Sequence, residues 1–260
     1  VAEDYRPLLQ AARALPDGSP VGDALLAAID GEMTRRRKVT GTQDGPPHPR
    51  SAGLVIRRAG LPEWWHDNGN LLLCGTDTSV EIALGYTQTP CRDCLAIVGS
   101  GSTPPRLVFE GEGGLVAIGD GCRITNSAFN TTGESTILIG ERTTATFMAS
   151  IDVRNGGIIV VGDDNMWAMG VNMMSDDTHA IREVGTNRRI NEFGGKIVIE
   201  RHVWIGNSVQ LMGHSRIGHD SVIGQGSFVK NVALPPNTVS AGRPARPLRG
   251  GVTWSREDLP

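Results

Sequence analysis

From Ile199 to Val229 an aliphatic residue returns at every sixth position: Ile199, Ile205, Leu211, Ile217, Ile223 and Val229. Gly206, Gly218 and Gly224 directly follow three of them. A period of six fits neither the 3.6 of a helix nor the two of a simple strand. It marks a small unit copied and stacked so that each copy covers its neighbour. Upstream, Val116–Asp120, Ile137–Glu141 and Ile159–Asp163 share an aliphatic-Gly-acid ending, and their glycines lie 21 and 22 residues apart. A coil of three six-residue sides needs roughly 18, so the excess predicts small bulges at corners. Each hexad reads as a short strand and a turn. Its aliphatic residue points inward and stacks on its equivalent one coil away, about 4.8 Å along the axis. Glycine suits the corner, where crowding and unusual dihedrals favour a residue without Cβ. The pattern predicts an all-β solenoid of parallel strands over 96–234. A polar excursion interrupts it at about 173–197, and a C-terminal extension follows over 235–260.

The first part, 1–95, reads as a helical and mixed region. Leu8, Leu9, Ala12 and Leu15, then Val21, Leu25, Leu26, Ile29 and Met33, fall near helical spacing, with Asp17-Gly18-Ser19-Pro20 as the turn between two helices. Arg35-Arg36-Arg37-Lys38 reads as a solvated helix end that complements the helix C-terminus rather than a phosphate site. Residues 40–50, rich in Gly and Pro, read as a linker or long loop. Short extended runs follow at Gly53–Ile56 and Leu71–Cys74. The pair Trp64-Trp65 serves either as a packing element or as a platform for a sugar ring.

Composition narrows the function classes. The 260 residues carry a formal net charge of -3, so no global field favours nucleic acid. No apolar run is long enough to span a bilayer. Val1–Tyr5 lacks the basic start and apolar core of a secretory leader, so the expected location is cytoplasmic. Four cysteines, Cys74, Cys91, Cys94 and Cys122, include one C-x-x-C pair. Without a second pair they read as free thiols, with a zinc or redox role as the alternative.

Four blocks in order, over about 115–254, carry a resemblance to a known family. Asp177-Thr178-His179-Ala180-Ile181 is similar to the D-x-H-x-I block of sugar and antibiotic O-acetyltransferases. Arg189-Ile190-Asn191 resembles their RIN, and Ile199–Gly206 resembles their I-G-D-x-V-W-I-G with Glu200 in place of Gly. Pro235–Thr238 and Ala241–Arg246 resemble their PPNT and AGxPAR. His214 stands where the family often has Gly. The hexads themselves resemble the left-handed parallel β-helix acyltransferases, whose handedness is an exception to the crossover rule.

The resemblance implies an acetyl-CoA-dependent O-acetyltransferase acting on a carbohydrate hydroxyl, whether of a polysaccharide or a sugar. Transfer to a hydroxyl needs a base of near-neutral pKa. The family's catalytic histidine maps onto His179, with Asp177 expected to orient the ring or support the imidazolium. Trp204 is expected near the site, either walling it or packing a corner. The pantetheine arm is expected along Gly224, Gly226 and Ser227, and the phosphates at Lys230, Arg243 and Arg246. The resemblance further implies a homotrimer with sites between neighbouring solenoids, and no metal. Alternatives are transfer to the amine of an amino sugar, or a zinc enzyme resembling the gamma-class carbonic anhydrases. For the latter, His179, His202, His214 and His219 supply candidate ligands.

Overall fold

The computed structural model describes residues 6–38 and 53–258. The expected linker at 40–50 and the start at Val1–Tyr5 lie outside the described residues, as do the side chains of Leu8 and Leu9.

The chain winds as a triangular parallel solenoid. Its first face is a nine-stranded sheet that begins Leu54–Arg57, Leu71–Gly75, Leu95–Val98, Leu115–Ile118. It continues through Thr136–Ile139, Ile158–Val161, Lys196–Ile199, Ser215–Ile217 and Ala233–Leu234. The second face has seven strands, from Ile82–Leu84 to Phe228–Lys230, and the third has six, from Thr144–Ala145 to Ala245–Gly250. Pairing is parallel throughout except at the two ends, where Leu54–Arg57 and Ala245–Gly250 run antiparallel to their neighbours. Leu71 already pairs in parallel with Leu95. The coils therefore start before the expected boundary at 96, and Val222–Val239 pairing carries them beyond 234 into the expected extension.

The registers account for the irregular spacing. Ile197 pairs with Ser215, 18 residues on, whereas Leu115 pairs with Thr136 and Thr136 with Ile158, 21 and 22 residues on. Ile158 pairs with Lys196, and the added length of that coil is the excursion between Asn172–Met174 and Lys196–Ile199.

Inside the prism, stacked aliphatic side chains form one continuous core, from Leu72 and Val98 through Ile118, Ile139, Val161, Ile199 and Ile217 to Leu234. The first face is also covered from outside. Helices α1 (Arg6–Arg13) and α2 (Asp23–Lys38) lay Ala12, Leu25, Ile29 and Met33 against Leu71, Leu73, Ile97, Ala117, Leu138 and Val160. That is why Leu-Leu-Leu-Cys, Leu-Ala-Ile-Val and Ile-Ile-Val-Val are apolar at every position: strands buried on both sides do not alternate.

The basic run ending α2 is not a wholly solvated face. The Arg36 guanidinium donates to Gly113 O and Thr136 Oγ1 at 3.2 and 3.0 Å. Arg36 also pairs with the buried Glu32 at 2.7 Å. The run clamps α2 to the coils because the helix lies flat on the sheet. A third helix, α3 (Glu63–Asp67), closes the open end of the core with Trp65, which is 0% exposed and lies 5.0 Å from the Phe109 ring. Trp65 therefore cannot stack on a sugar, and Trp64 packs partly buried against the same core. The tryptophan pair is an end plug, not a platform for a sugar ring.

The glycines after the inward residues have a cause other than dihedral freedom. Gly119, Gly140, Gly162, Gly206, Gly218 and Gly224 have ordinary φ. The left-handed residue comes two positions later: Gly121, Arg142, Asp164, Ser208, Asp220 and Gly226. What excludes a side chain at the first position is the next coil. A Cβ on Gly140 would stand 2.6 Å from Asp163 N, and one on Gly119 would stand 2.7 Å from Glu141 N. Gly140→Ala should destabilise the fold by about 1–3 kcal/mol through this overlap with backbone. Gly226→Asn should change stability by less than about 1 kcal/mol, because the corner is open and Asn tolerates a left-handed φ. Urea unfolding of the two variants checks the contrast, and equal losses would contradict the stacking explanation.

Candidate active site

The excursion leaves the prism at the edge between the second and first faces. Asp176 anchors its root. One carboxylate oxygen accepts from Thr178 N at 2.8 Å, and the other accepts from Asn155 Nδ2 at 2.7 Å and Gly194 N at 3.2 Å. The segment then turns back on itself, with Ile190 N donating to Ile181 O at 2.9 Å and Glu183 N donating to Arg188 O at 2.9 Å.

His179 stands at the start of this turn with its side chain exposed. Its backbone is tightly held. His179 N donates to Asp177 O at 2.6 Å across Thr178, whose φ is +66°. That is a three-residue γ-turn, a rare and strained shape. Thr178 is the only β-branched residue with a left-handed φ among the described residues.

The Asp177 carboxylate is committed elsewhere than to the imidazole. Its Oδ1 accepts from Lys230 Nζ at 2.9 Å and its Oδ2 from Asn191 Nδ2 at 3.3 Å. The hydrogen bond from Lys230 is the main reason its pKa lies below the usual carboxylate range; burial opposes it, and Asn191, Lys230's charge and Arg189 each add a smaller lowering. This corrects two expectations. Asp177 holds the loop to the coils rather than orienting the His179 ring. Lys230 is engaged by Asp177 rather than free for a phosphate. Lys230 lies on the second face two rungs from Met174, through the pairs Met174–Met212 and Met212–Lys230. The loop therefore climbs along the prism edge toward the last coils.

The expected donor residues occupy the opposite edge of that same face. Gly224–Ser227 forms the corner, and Arg243 donates to Gly226 O at 3.2 Å with its guanidinium 5.8 Å from the Phe228 ring centre. Gly224, Gly226, Arg243 and the exposed Arg246 are thus neighbours of one corner, with Ala241 paired to Arg246. Ser227 does not line its surface. It is 0% exposed, donates to Gly224 O at 2.6 Å and accepts from Gly242 N at 3.2 Å. Its role is to lock the corner, because a buried hydroxyl is costly unless paired.

Trp204 is 39% exposed on the third face, across the prism from the edge that carries His179, and a single chain does not bring the two together. Its neighbour is the buried Trp254, 6.3 Å away. Trp254 stacks on His202 at 4.3 Å, donates to His202 O at 2.8 Å, and accepts from His202 Nε2 at its own carbonyl at 3.0 Å. His202 Nδ1 meets Asp164 at 2.7 Å.

His219 meets Asp220 at 2.6 Å, and His214 lies 3.5 Å from Glu192. Each of these three histidines has its own carboxylate, and no group of three or more His, Cys, Asp or Glu is placed to hold a metal among the described residues. Glu200, in place of the family's Gly, ties one coil to the next by accepting from His219 N at 2.9 Å and pairing with Arg216. All four cysteines are buried free thiols in the first coils, and burial pushes the Cys122 thiol up to about 12.

Asn191 is a contact residue that motif reading left without a role. It lies in the Arg-Ile-Asn block, but only the fold shows it reaching both Asp177 and the His179 carbonyl, the latter at 2.8 Å.

The three-faced parallel solenoid and its repeat match the left-handed β-helix fold of hexapeptide-repeat proteins. Residues 196–231 match the family model described as bacterial transferase hexapeptide (six repeats). The chain is similar to the polysialic acid O-acetyltransferase of Escherichia coli O1:K1 / APEC, with 33% identity over 127 residues, 48% of this chain and 39% of that protein. It is similar to the galactoside O-acetyltransferase of Escherichia coli K12, with 33% identity over 115 residues, 44% of this chain and 54% of that protein. The chain thus spans about half or less of the length of these relatives. Among solved structures, the polySia specific acetyltransferase NeuO superposes with a TM-score of 0.63 at 25% identity, covering 73% of this chain and 79% of the other. No helix is long and apolar enough to cross a membrane among the described residues.

The Asp177 carboxyl gives a test of the loop anchor. A carboxyl whose folded pKa is depressed stabilises the fold above its unfolded pKa, and loses that stabilisation as pH falls through the depressed value. In Lys230→Ala, the carbon-detected titration of Asp177 should move up toward the ordinary range. An unchanged titration would remove Lys230 as its partner.

Proposed function

We propose that this chain is an acetyl-CoA-dependent O-acetyltransferase whose acceptor is a carbohydrate hydroxyl, with His179 as general base. The observation that carries the reading is the His179 turn, an exposed imidazole on a strained, multiply anchored backbone at the rim of a face whose other edge carries two exposed arginines. Support for a carbohydrate acceptor comes from the relatives named for polysialic acid and galactoside, since Trp64 and Trp65 no longer offer any.

In this reading the His179 imidazole takes the acceptor's hydroxyl proton as its oxygen attacks the thioester carbonyl carbon. The tetrahedral intermediate collapses, the C–S bond breaks, and the imidazolium returns the proton to the departing thiolate. Neither a nucleophilic side chain nor a metal enters this scheme. Arg243 and Arg246 fit the anionic end of the donor, because their guanidiniums are exposed at one corner and phosphates favour such forks. A homotrimer, with Trp204 of one subunit facing the His179 loop of another, belongs to the same proposal.

Release of thiol from acetyl-CoA across a panel of sugars, oligosaccharides and amino sugars tests the function. His179→Ala should lower kcat by about 100-fold or more without lowering the melting temperature; retained turnover would overturn the mechanism. Arg243→Ala and Arg246→Ala should raise KM for acetyl-CoA more than they lower kcat. A fall in kcat at unchanged KM would take either residue out of the donor site.

A further inference from the structure

The His179 ring makes no hydrogen bond among the described residues. What the chain fixes is therefore the His179 backbone, and with it the origin and direction of the Cα–Cβ bond from which the ring swings. That backbone is a γ-turn centred on a β-branched residue at φ +66°, a conformation that costs on the order of 1–3 kcal/mol and persists only when its surroundings over-determine it.

One side chain does most of this. Asn191 Nδ2 donates to His179 O at 2.8 Å and to Asp177 Oδ2 at 3.3 Å, while Asn191 Oδ1 accepts from Ile181 N at 2.9 Å. Asn191 thus spans the turn, holding the residue before it, the histidine itself and the backbone two residues after it. Its own main chain is fixed in turn, because the Arg189 guanidinium donates to Asn191 O at 3.1 Å and Glu192 O at 2.8 Å. Two ties join this assembly to the rigid coils: Asp177 through Lys230, and Asp176, which accepts from Thr178 N at 2.8 Å and from Asn155 on the preceding coil at 2.7 Å.

We propose that Asn191 is a positioning residue for the transfer reaction: together with the Asp177–Lys230 pair, it fixes the His179 imidazole relative to the second face of the prism. The inference rests on His179 being the base, and it assigns the Arg-Ile-Asn block a job that the motif alone does not state. Asn191 touches no reacting atom. It acts through His179 by determining where that residue's Cα stands, and a displacement of about 1 Å at a reacting centre costs on the order of 100-fold.

The test is a two-by-two set, wild type, Asn191→Asp, His179→Ala and the double variant, assayed as kcat and KM with acetyl-CoA and the best acceptor from the panel. Asn191→Asp keeps the size and the acceptor toward Ile181 N. It removes both donated hydrogen bonds and sets a carboxylate beside Asp177. Its kcat should fall about 10- to 100-fold with KM for acetyl-CoA within about twofold. In the His179→Ala background the same change should cost nothing further, because a residue acting only through His179 has nothing left to position. Lys230→Met should reproduce the kcat loss in part while lowering the melting temperature by no more than about 4 °C, which keeps the question decidable if the Asn191 variant folds poorly. A full kcat in Asn191→Asp, or a further loss in the double variant, would overturn the positioning role while leaving His179 as base. An active His179→Ala would instead overturn the base assignment itself.

Discussion

Backbone lies directly on backbone along one edge of the prism, and the rest of the molecule depends on that contact. Successive coils approach so closely after each inward aliphatic residue that a single added carbon on Gly119, Gly140 or Gly162 would overlap the next coil's main chain. The approach is made favourable by what it aligns. Parallel ladders run unbroken on each face, and the acids that follow these glycines cap the neighbouring coil, as when Asp163 accepts from Glu141 N and Asp120 from Ser100 N, both at 2.8 Å. Once the coils are held in this register, the inward aliphatic side chains stack in one buried column.

A rigid prism of this kind has few places for chemistry, because its side chains point either into the core or out along flat faces. Function then concentrates where the winding is interrupted. The excursion, where the proposed site lies, is not loose. Asp176 and Ser175 root it in the preceding coil, and Asp177 reaches a lysine 53 residues away. The strain of the turn at Thr178 is stored in a loop whose ends are fixed, which is the condition under which an unfavourable backbone shape persists.

The described N-terminal elements pack on the prism. Helices α1 and α2 cover the outer side of the first face, and Trp65 plugs the open end of the core. At the other end the chain folds back as an antiparallel strand, and Trp254 and Arg256 clasp the third face through His202, Asp164 and Thr144. An open solenoid exposes unpaired strand edges at its ends, and at each end here one face is extended by an antiparallel strand.

The six-residue period, the acids and glycines at the corners and the ordered motif blocks were legible in the sequence because each repeats a local pattern at short range. They were enough to specify stacked coils, the position of the interruption and the histidine within it. The helices of the first forty residues were legible for the same reason. What only the tertiary structure decided was which residues meet across coils. Irregular coil lengths before residue 196 shift each corner by a few positions, so spacing does not reveal that Lys230 stands over Asp177, that Ser227 faces inward, or that Trp65 enters the core while Trp204 lies on the far side from His179. Nor does it separate two reasons for glycine, since close coil approach and left-handed φ both favour a missing Cβ, and only stacked coordinates show them two residues apart at the same corner.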